Sequence, residues 1–234
     1  MTTTVTAGIA VRCADLGHTY QLDGEDVVAL DDVHLDAPAG IRLAVLGPSG
    51  SGKSTLSNIL AGLRRPSRGQ VWVGDDDLTA MTERQLLRWR GQRIGIVLQN
   101  PSRTLLPYGT AEDNILFARR GARTTGLPSP QLLLEQLGLA DLAGQPVARL
   151  SGGEQQRLAV GVAMSRQPPL LLADEPTSQL DSSNRDRLVT LLVRVNAQLG
   201  TTLIVVTHDP AVADAMQQHI TLADGRTIDQ ASHQ

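Results

Sequence analysis

The chain has 234 residues, 41 % of them hydrophobic, enough for a sizeable core in one domain or a domain with a small attached lobe. A net charge of -3 argues against a strongly basic nucleic-acid surface, and the one cysteine, Cys13, excludes a disulfide framework and a four-cysteine metal site. No apolar run approaches the ~20 residues that span a bilayer, and Met1 to Thr6 lacks a basic region followed by an apolar core, so a cytosolic chain is expected, with any membrane link through another polypeptide.

Residues 9 to 20 and Val27 to Asp36 mix apolar and polar positions in a strand-like way, with the turn signal Asp23-Gly24 between them. An antiparallel hairpin or small sheet is therefore expected at the start. Cys13 within it reads as a small buried hydrophobe. Tyr20 stands out because aromatics are only 2 % of the chain; it can stack on a nucleobase or simply pack in its strand.

The short apolar run Ile41 to Leu46 ends in Gly47-Pro48-Ser49-Gly50-Ser51-Gly52-Lys53-Ser54-Thr55 and continues into the apolar-periodic segment Leu56 to Ala61. Strand, glycine-rich loop and helix in that order are the context of a phosphate-binding loop. The glycines let successive N–H groups point at one anion, and a helix beginning near Ser54 adds the positive end of its dipole. Lys53 is placed to reach terminal phosphates, and the Ser54 hydroxyl to ligate Mg²⁺. Nucleotide binding is thus read from the residues alone.

Beyond this loop, Gln70 to Val73 reads as a strand, Thr82 with Gln85 as a capping box opening a helix to about Arg90, and Ile94 to Leu98 as a buried strand with Gln99 at its carboxyl end. Residues 101 to 148 carry turn signals and short helical pieces at Ala111 to Ala118, Pro130 to Leu137 and Ala140 to Ala143, with no strand pattern; they are expected to form an inserted helical lobe. Ser151 and Glu154 form another capping box, opening the helix Gly152 to Arg166.

Leu170 to Asp174 is a continuous apolar strand ending in Asp174 and Glu175. In a parallel sheet it would bring both carboxylates to the edge that carries the phosphate loop, and strand alternation would point them apart. Asp174 suits Mg²⁺, and Glu175 can face the γ-phosphate and polarise a water. Asp181 can cap a helix from Ser182 to Leu199 that stops at Gly200; Thr202 to Thr207 is a further strand, with His208 at its end and Asp209-Pro210 opening the next helix. Ile220 to Ile228 closes as a hairpin. A lone histidine is usually structural, as His18, His34, His219 and His233 are read here, but the edge position of His208 near the γ-phosphate favours function.

Ser151-Gly152-Gly153 is a second glycine-bearing helix N-terminus, a second potential anion site. One chain cannot easily bring both to the same phosphate, which suggests that a second subunit supplies one of them.

With these motifs in this order, the chain resembles the nucleotide-binding subunit of an ATP-binding cassette transporter over nearly its whole length. The matching residues are Tyr20, the Walker A loop Gly47 to Thr55, Gln99, the signature Leu150-Ser151-Gly152-Gly153-Glu154-Gln155-Gln156-Arg157, the Walker B strand Leu170 to Asp174 with Glu175, the loop Ser178 to Asp181, and His208. The resemblance implies an α/β P-loop NTPase fold of RecA-like type: a mostly parallel sheet core with an N-terminal antiparallel β subdomain, residues 1–100 and 149–234, and a helical subdomain, residues 101–148. It implies a head-to-tail dimer clasping two ATP, each between the Walker A loop of one cassette and Ser151 to Gly153 of the other. Glu175 is similar to the family's general base, Gln99 and Asp174 to its Mg²⁺ and water positioners, His208 to its γ-phosphate contact and Tyr20 to its adenine stack. The helical lobe would receive a membrane permease, placing the chain on the inner face of the cell membrane.

The chain departs from the family pattern at Gln179, where a smaller residue is usual, at Arg149, and after the signature, where an arginine is often found. Leu105 to Pro107 and Thr110 to Ile115 are similar to cassettes of lipoprotein release and macrolide export, whereas Gln99-Asn100-Pro101 is also similar to importer cassettes; export is the preferred expectation. The other readings are a cassette ATPase acting on nucleic acid or ribosomes, disfavoured by the short interval from Ser54 to Ser151 and the absence of a basic tail, and a P-loop kinase or GTPase, which leaves the signature and His208 without explanation.

Overall fold

The computed structural model describes residues 8–22, 24–121 and 126–232; Asp23 of the expected turn, residues 122–125 and His233 lie outside them. Strands β1 (Val11–Leu22) and β2 (Glu25–Ala37) pair antiparallel, Tyr20 facing Val27. With β4 (Arg68–Val73) and β5 (Asp76–Asp77) they form a four-stranded antiparallel sheet in the order β2-β1-β4-β5. Cys13 is buried in it, and burial pushes the thiol up to about 12, which makes it an inert packing group.

The second sheet contains β3 (Arg42–Leu46), β6 (Ile94–Val97), β7 (Leu170–Asp174), β8 (Thr202–Val206), β9 (Gln218–Ala223) and β10 (Arg226–Ser232), in the order β10-β9-β3-β8-β7-β6. All neighbours in it are parallel except the terminal β9–β10 hairpin. Because side chains alternate across a strand, its apolar runs feed two cores. Leu170 and Leu172 of β7 join Leu43 and Val45 of β3 and the apolar face of α1 (Lys53–Leu60) on one side. Leu171 and Ala173 join Leu203 and Val205 of β8 on the other, beneath α5 (Gly152–Met164) and α6 (Ser182–Leu199). Asp31 ties the two sheets by accepting from Arg68 of β4 and Arg226 of β10.

Residues 101–148 contain α3 (Ala111–Ala118), α4 (Pro130–Gln136) and three 3-10 turns; among the described residues the sole pairing is a bridge between Thr110 and Pro146. The lobe docks on α5 at close range, since a Cβ on Gly161 would lie 2.3 Å from Leu137 Cδ1. Helix α2 (Glu83–Arg93) starts at the expected capping box of Thr82 and Gln85 but runs one turn beyond Arg90. Helix α5 ends at Met164, short of Arg166, where Gln167 turns to a positive φ of 52°. The last helix, α7 (Pro210–Asp214), starts at Asp209 and Pro210 as expected.

Two differences from the sequence expectation have simple causes. Strand β6 is the sheet's free edge, so Ile94 and Ile96 are half-exposed where a fully buried strand was expected. Strand β5 consists of two aspartates, too short and too polar to carry a strand pattern.

The N-terminal segment, the turn before β3 and the end of α6 are fastened by two polar side chains. Thr202 Oγ1 accepts from the amides of Ile9 and Gly40 and donates to Ile9 O. Asn196, only 4 % exposed, donates through Nδ2 to Gly40 O at 2.9 Å and Thr201 O at 2.6 Å, and accepts from Arg42 Nη1 at 3.0 Å. Truncating it strands these partners in a site water does not reach. Asn196→Ala is therefore expected to lower unfolding stability by about 2–3 kcal/mol in urea titrations with an unchanged m-value. Asn196→Asp is expected to be at least as damaging, because it sets a carboxylate against two carbonyls.

Candidate functional site

Parallel pairing of β3, β8, β7 and β6 puts their carboxyl ends on one edge of the sheet, the edge where open α/β folds bind ligands. Four chain segments leave that edge together: the loop from Gly47, Gln99 after β6, Asp174–Glu175 at the end of β7, and His208 after β8. They enclose a cavity of ≈ 580 Å³ whose lining includes Pro48 to Thr55, apart from Ser51, together with Gln99, Glu175 and His208. Ala29 of β2 also lines it, a contribution for which its sequence setting held no signal.

The loop is built to present donors. Gly52, the residue before α1, sits at φ 98°, and a Cβ there would lie 2.3 Å from Ala29 O, so no other residue fits. With glycine at that position no side chain caps α1, and its first turn carries no acid. The free amides and the dipole of that helix end face the cavity, which is the arrangement that binds phosphate. Lys53 is 7 % exposed and donates through Nζ to Gly47 O at 2.8 Å and Pro48 O at 2.7 Å. Two of its three protons hold the loop's curve, which leaves one for an anion.

Asp174 is mostly buried, and desolvation, then the neighbouring charge of Glu175, raise its pKa against the opposing pull of the Ser54 hydroxyl and Lys53. Its Oδ1 is buried with no partner among the protein atoms, as are Glu175 Oε2 and Ser51 Oγ. Unmet buried acceptors of this kind call for a cation or a donor. The Ser54 hydroxyl, which hydrogen-bonds the Asp174 carboxylate, and the Gln99 amide in the cavity wall offer oxygen donors of the kind Mg²⁺ takes in preference to a softer metal.

Glu175 lies outside the strand, at φ 46°, with its amide donating to Val206 O at 2.8 Å. The expected alternation therefore does not separate it from Asp174; a left-handed turn does, at a cost of roughly 1–2 kcal/mol. That turn brings Glu175 Oε1 to 2.8 Å from His208 Nδ1. Glu175 is 14 % exposed and His208 64 %, so the pair stands at the mouth of the cavity with a buried carboxylate and an open imidazole. The arrangement can hold a polyphosphate, place a cation beside it and offer a carboxylate to a water.

Other predicted residues lie apart from this cluster. Tyr20 is not in the cavity wall; its hydroxyl shares a 3.1 Å hydrogen bond with Thr55 Oγ1, the Arg64 guanidinium lies 4.7 Å from its ring centre, and the His18 ring meets it edge-on. Ser151, Gly152 and Gly153 also lie outside the lining. At that helix end the capping box is complete: Ser151 N donates to Glu154 Oε2 at 2.7 Å, and Glu154 N donates to Ser151 Oγ at 3.4 Å. The Ser151 amide thus holds the Glu154 carboxyl below the usual carboxylate range. Ser151 and Gly152 are exposed, so this N-terminus faces outward.

A family profile described as ABC transporter matches residues 30–178. The chain is 38 % identical over 218 residues to the lipoprotein-releasing system ATP-binding protein LolD of Idiomarina loihiensis, covering 92 % of this chain and 95 % of that protein. It is 38 % identical over 232 residues to the methionine import ATP-binding protein MetN of Thermobifida fusca, covering 94 % of this chain and 70 % of that one. Among solved structures, it superposes with a TM-score of 0.83 and 32 % identity on the dimeric post-hydrolysis state of the ATP-binding cassette MJ0796 of Methanocaldococcus jannaschii bound to ADP and Pi, covering 95 % of this chain and 98 % of that one. A phosphate loop, paired acids and a histidine on one sheet edge, matched in sequence and fold to such cassettes, mean that this chain belongs to the ABC transporter family, as an ATP-binding and ATP-hydrolysing cassette.

Proposed function

We propose that the chain works as one half of a head-to-tail pair of identical cassettes that closes around two ATP and powers cargo movement by a separate membrane permease, in the direction of export or release. The observation that carries this reading is the division of anion sites: the uncapped end of α1 lies inside the cavity, while Ser151 and Gly152 are exposed outside its lining on the same chain. A second copy, turned head to tail, would supply its Ser151 to Gly153 to the phosphates held here. The dimeric arrangement of the MJ0796 cassette with ADP and Pi supports that pairing. Export follows the nearly full-length likeness to LolD, a lipoprotein-releasing protein by name.

In this reading Gly47 to Thr55 grip the phosphates, with Lys53 on the terminal ones, and Tyr20 swings to stack on adenine. Ser54, Asp174 and Gln99 would hold Mg²⁺, which neutralises charge on the bridging phosphate oxygens. Glu175 orients a water and takes its proton as the oxygen attacks the γ-phosphorus; the bond from that phosphorus to the β-phosphate oxygen breaks, giving ADP and phosphate, and His208 holds the Glu175 carboxylate and the γ-phosphate. The lobe of residues 101–148, anchored on α5 behind Ser151, would receive the permease, so closure at the nucleotide becomes motion at the membrane face. Residues 1–100 and 149–234 form the nucleotide-binding core of the same unit.

Lys53→Ala is expected to weaken ATP binding at least tenfold in a fluorescence titration, since it removes both a phosphate contact and the brace of the loop; wild-type affinity would count against the phosphate-loop assignment. Glu175→Gln is expected to keep ATP affinity, lose about 10²-fold or more in kcat and accumulate an ATP-bound dimer. Rapid hydrolysis by that variant overturns its role as base. Ser151→Arg is expected to leave monomeric ATP binding intact while abolishing the ATP-dependent dimer in sedimentation. An undiminished dimer there contradicts action in trans.

A further inference from the structure

The segment that carries His208 is anchored on both flanks. On one side Thr207, fully buried, donates its amide to Val45 O at 3.0 Å, and its Oγ1 accepts from Asp209 N at 3.0 Å. On the other, the Asp209 carboxylate divides its oxygens: Oδ1 accepts from Ala211 N at 2.9 Å and caps α7, and Oδ2 lies 3.6 Å from Nη1 of Arg185. Arg185 stands on the first turn of α6, whose start is fixed by Asp181: its Oδ1 accepts from Asn184 N at 2.9 Å and its Oδ2 from Asn184 Nδ2 at 2.8 Å.

These contacts close a ring. From Glu175 the chain runs through residues 176–181 to the start of α6; the ion pair of Arg185 and Asp209 crosses to the neighbouring segment; the chain steps back to His208; and His208 returns to Glu175 by the 2.8 Å contact. A cavity of ≈ 320 Å³ lies inside the ring, with Arg185, Asp209, His208 and Glu175 in its wall. A cation in the first turn opposes the helix dipole, so helix stability does not account for an arginine at this position. Arg185 also donates through Nε to Asp186 Oδ1 at 2.9 Å, while the 3.6 Å pair with Asp209 is the one that joins two segments; near-surface ion pairs of either kind add little to global stability.

We propose that Arg185 is a positioning residue for ATP hydrolysis: by clasping Asp209 it fixes the His208–Glu175 pair relative to the loop that ends at Asp181. The inference rests on the assignment of Glu175 and His208 to the hydrolytic step. Arg185 does not line the nucleotide cavity, so its loss acts on turnover and not on nucleotide affinity.

The test is steady-state ATP hydrolysis by the full chain carrying Arg185→Met, Asp209→Asn, both together, and Arg185→Lys. Asparagine keeps the oxygen that caps α7 and removes only the charge that Arg185 holds. The expected result is a kcat loss on the order of tenfold in each single variant, with KM for ATP within about twofold of wild type. The double variant is expected to lose no more than either single one, and Arg185→Lys to recover most of the rate. Should Arg185→Met fail to fold, Asp209→Asn carries the same comparison. Wild-type kcat in the single variants, losses that multiply in the double variant, or a proportionate rise in KM overturns the proposal. If Glu175→Gln turns over at the wild-type rate, the hydrolytic assignment fails; if that variant is inactive while Asp209→Asn is unimpaired, only the role of Arg185 fails.

Discussion

The parallel register of four strands is the constraint on which the site depends. Val45 lies opposite Val206, Val206 opposite Asp174, and Ala173 opposite Val97, so β3, β8, β7 and β6 end nearly level. A shift of one residue in any of them would exchange its two faces and disturb both cores, because Leu170 and Leu172 serve one core while Leu171 and Ala173 serve the other. Hydrophobic burial therefore sets the distances among Gly47, Gln99, Asp174 and His208, although none of those residues contributes to the core. The chemistry inherits its geometry from packing.

The two glycine-bearing helix ends illustrate how local hydrogen bonding sorts similar sequences into different roles. At α1 the residue before the helix is Gly52, which offers no side-chain oxygen, and the amides are left for a ligand. At α5 Ser151 and Glu154 satisfy each other, which lets the helix end stand exposed without a ligand. The Gly152 amide, at the exposed first position of the helix, has no partner within the helix. One helix end needs an anion from the start, and the other can wait for one. In the two-cassette pairing proposed above, this asymmetry lets the second helix end join a site only when the partner arrives.

Most of this was legible in the residues because the signals were strong and local. The run Leu170 to Asp174 could only be a buried strand; capping boxes at Thr82 and Ser151 marked helix starts without reference to the fold; Gly200, at φ 64°, marked a helix end. What escaped reading depends on tertiary position. That β6 is an edge follows from sheet order, not from Ile94 to Val97. The left-handed turn at Glu175 is held by Val206 across the sheet, and alternation along the strand gave the wrong expectation. Asn196 did leave a trace: it falls on the same helical stripe as Leu188, Leu191 and Leu192, and an asparagine on an apolar stripe announces a buried hydrogen-bond hub.

The backbone is strained at Glu175, whose φ is 46°. A non-glycine residue persists in a left-handed conformation only where its surroundings over-determine it. Here they do so from three directions: its amide is pinned to Val206 O, its carbonyl accepts from Ser178 Oγ at 3.1 Å, and its carboxylate is held by His208. Each of those partners belongs to a segment leaving the same sheet edge. If any moves, the turn can relax toward extended backbone and carry the carboxylate out of the cavity. Strain held by two segments at once, the end of β8 with His208 and the loop to Asp181, makes the position of Glu175 sensitive to both. The carboxylate keeps its place in the cavity wall only while the loop to Asp181 and the segment of His208 keep theirs. Because the loop to Asp181 continues into α6, whose Asn184 packs against Gly153 of α5, the same set of contacts connects the Glu175 carboxylate with the exposed start of α5.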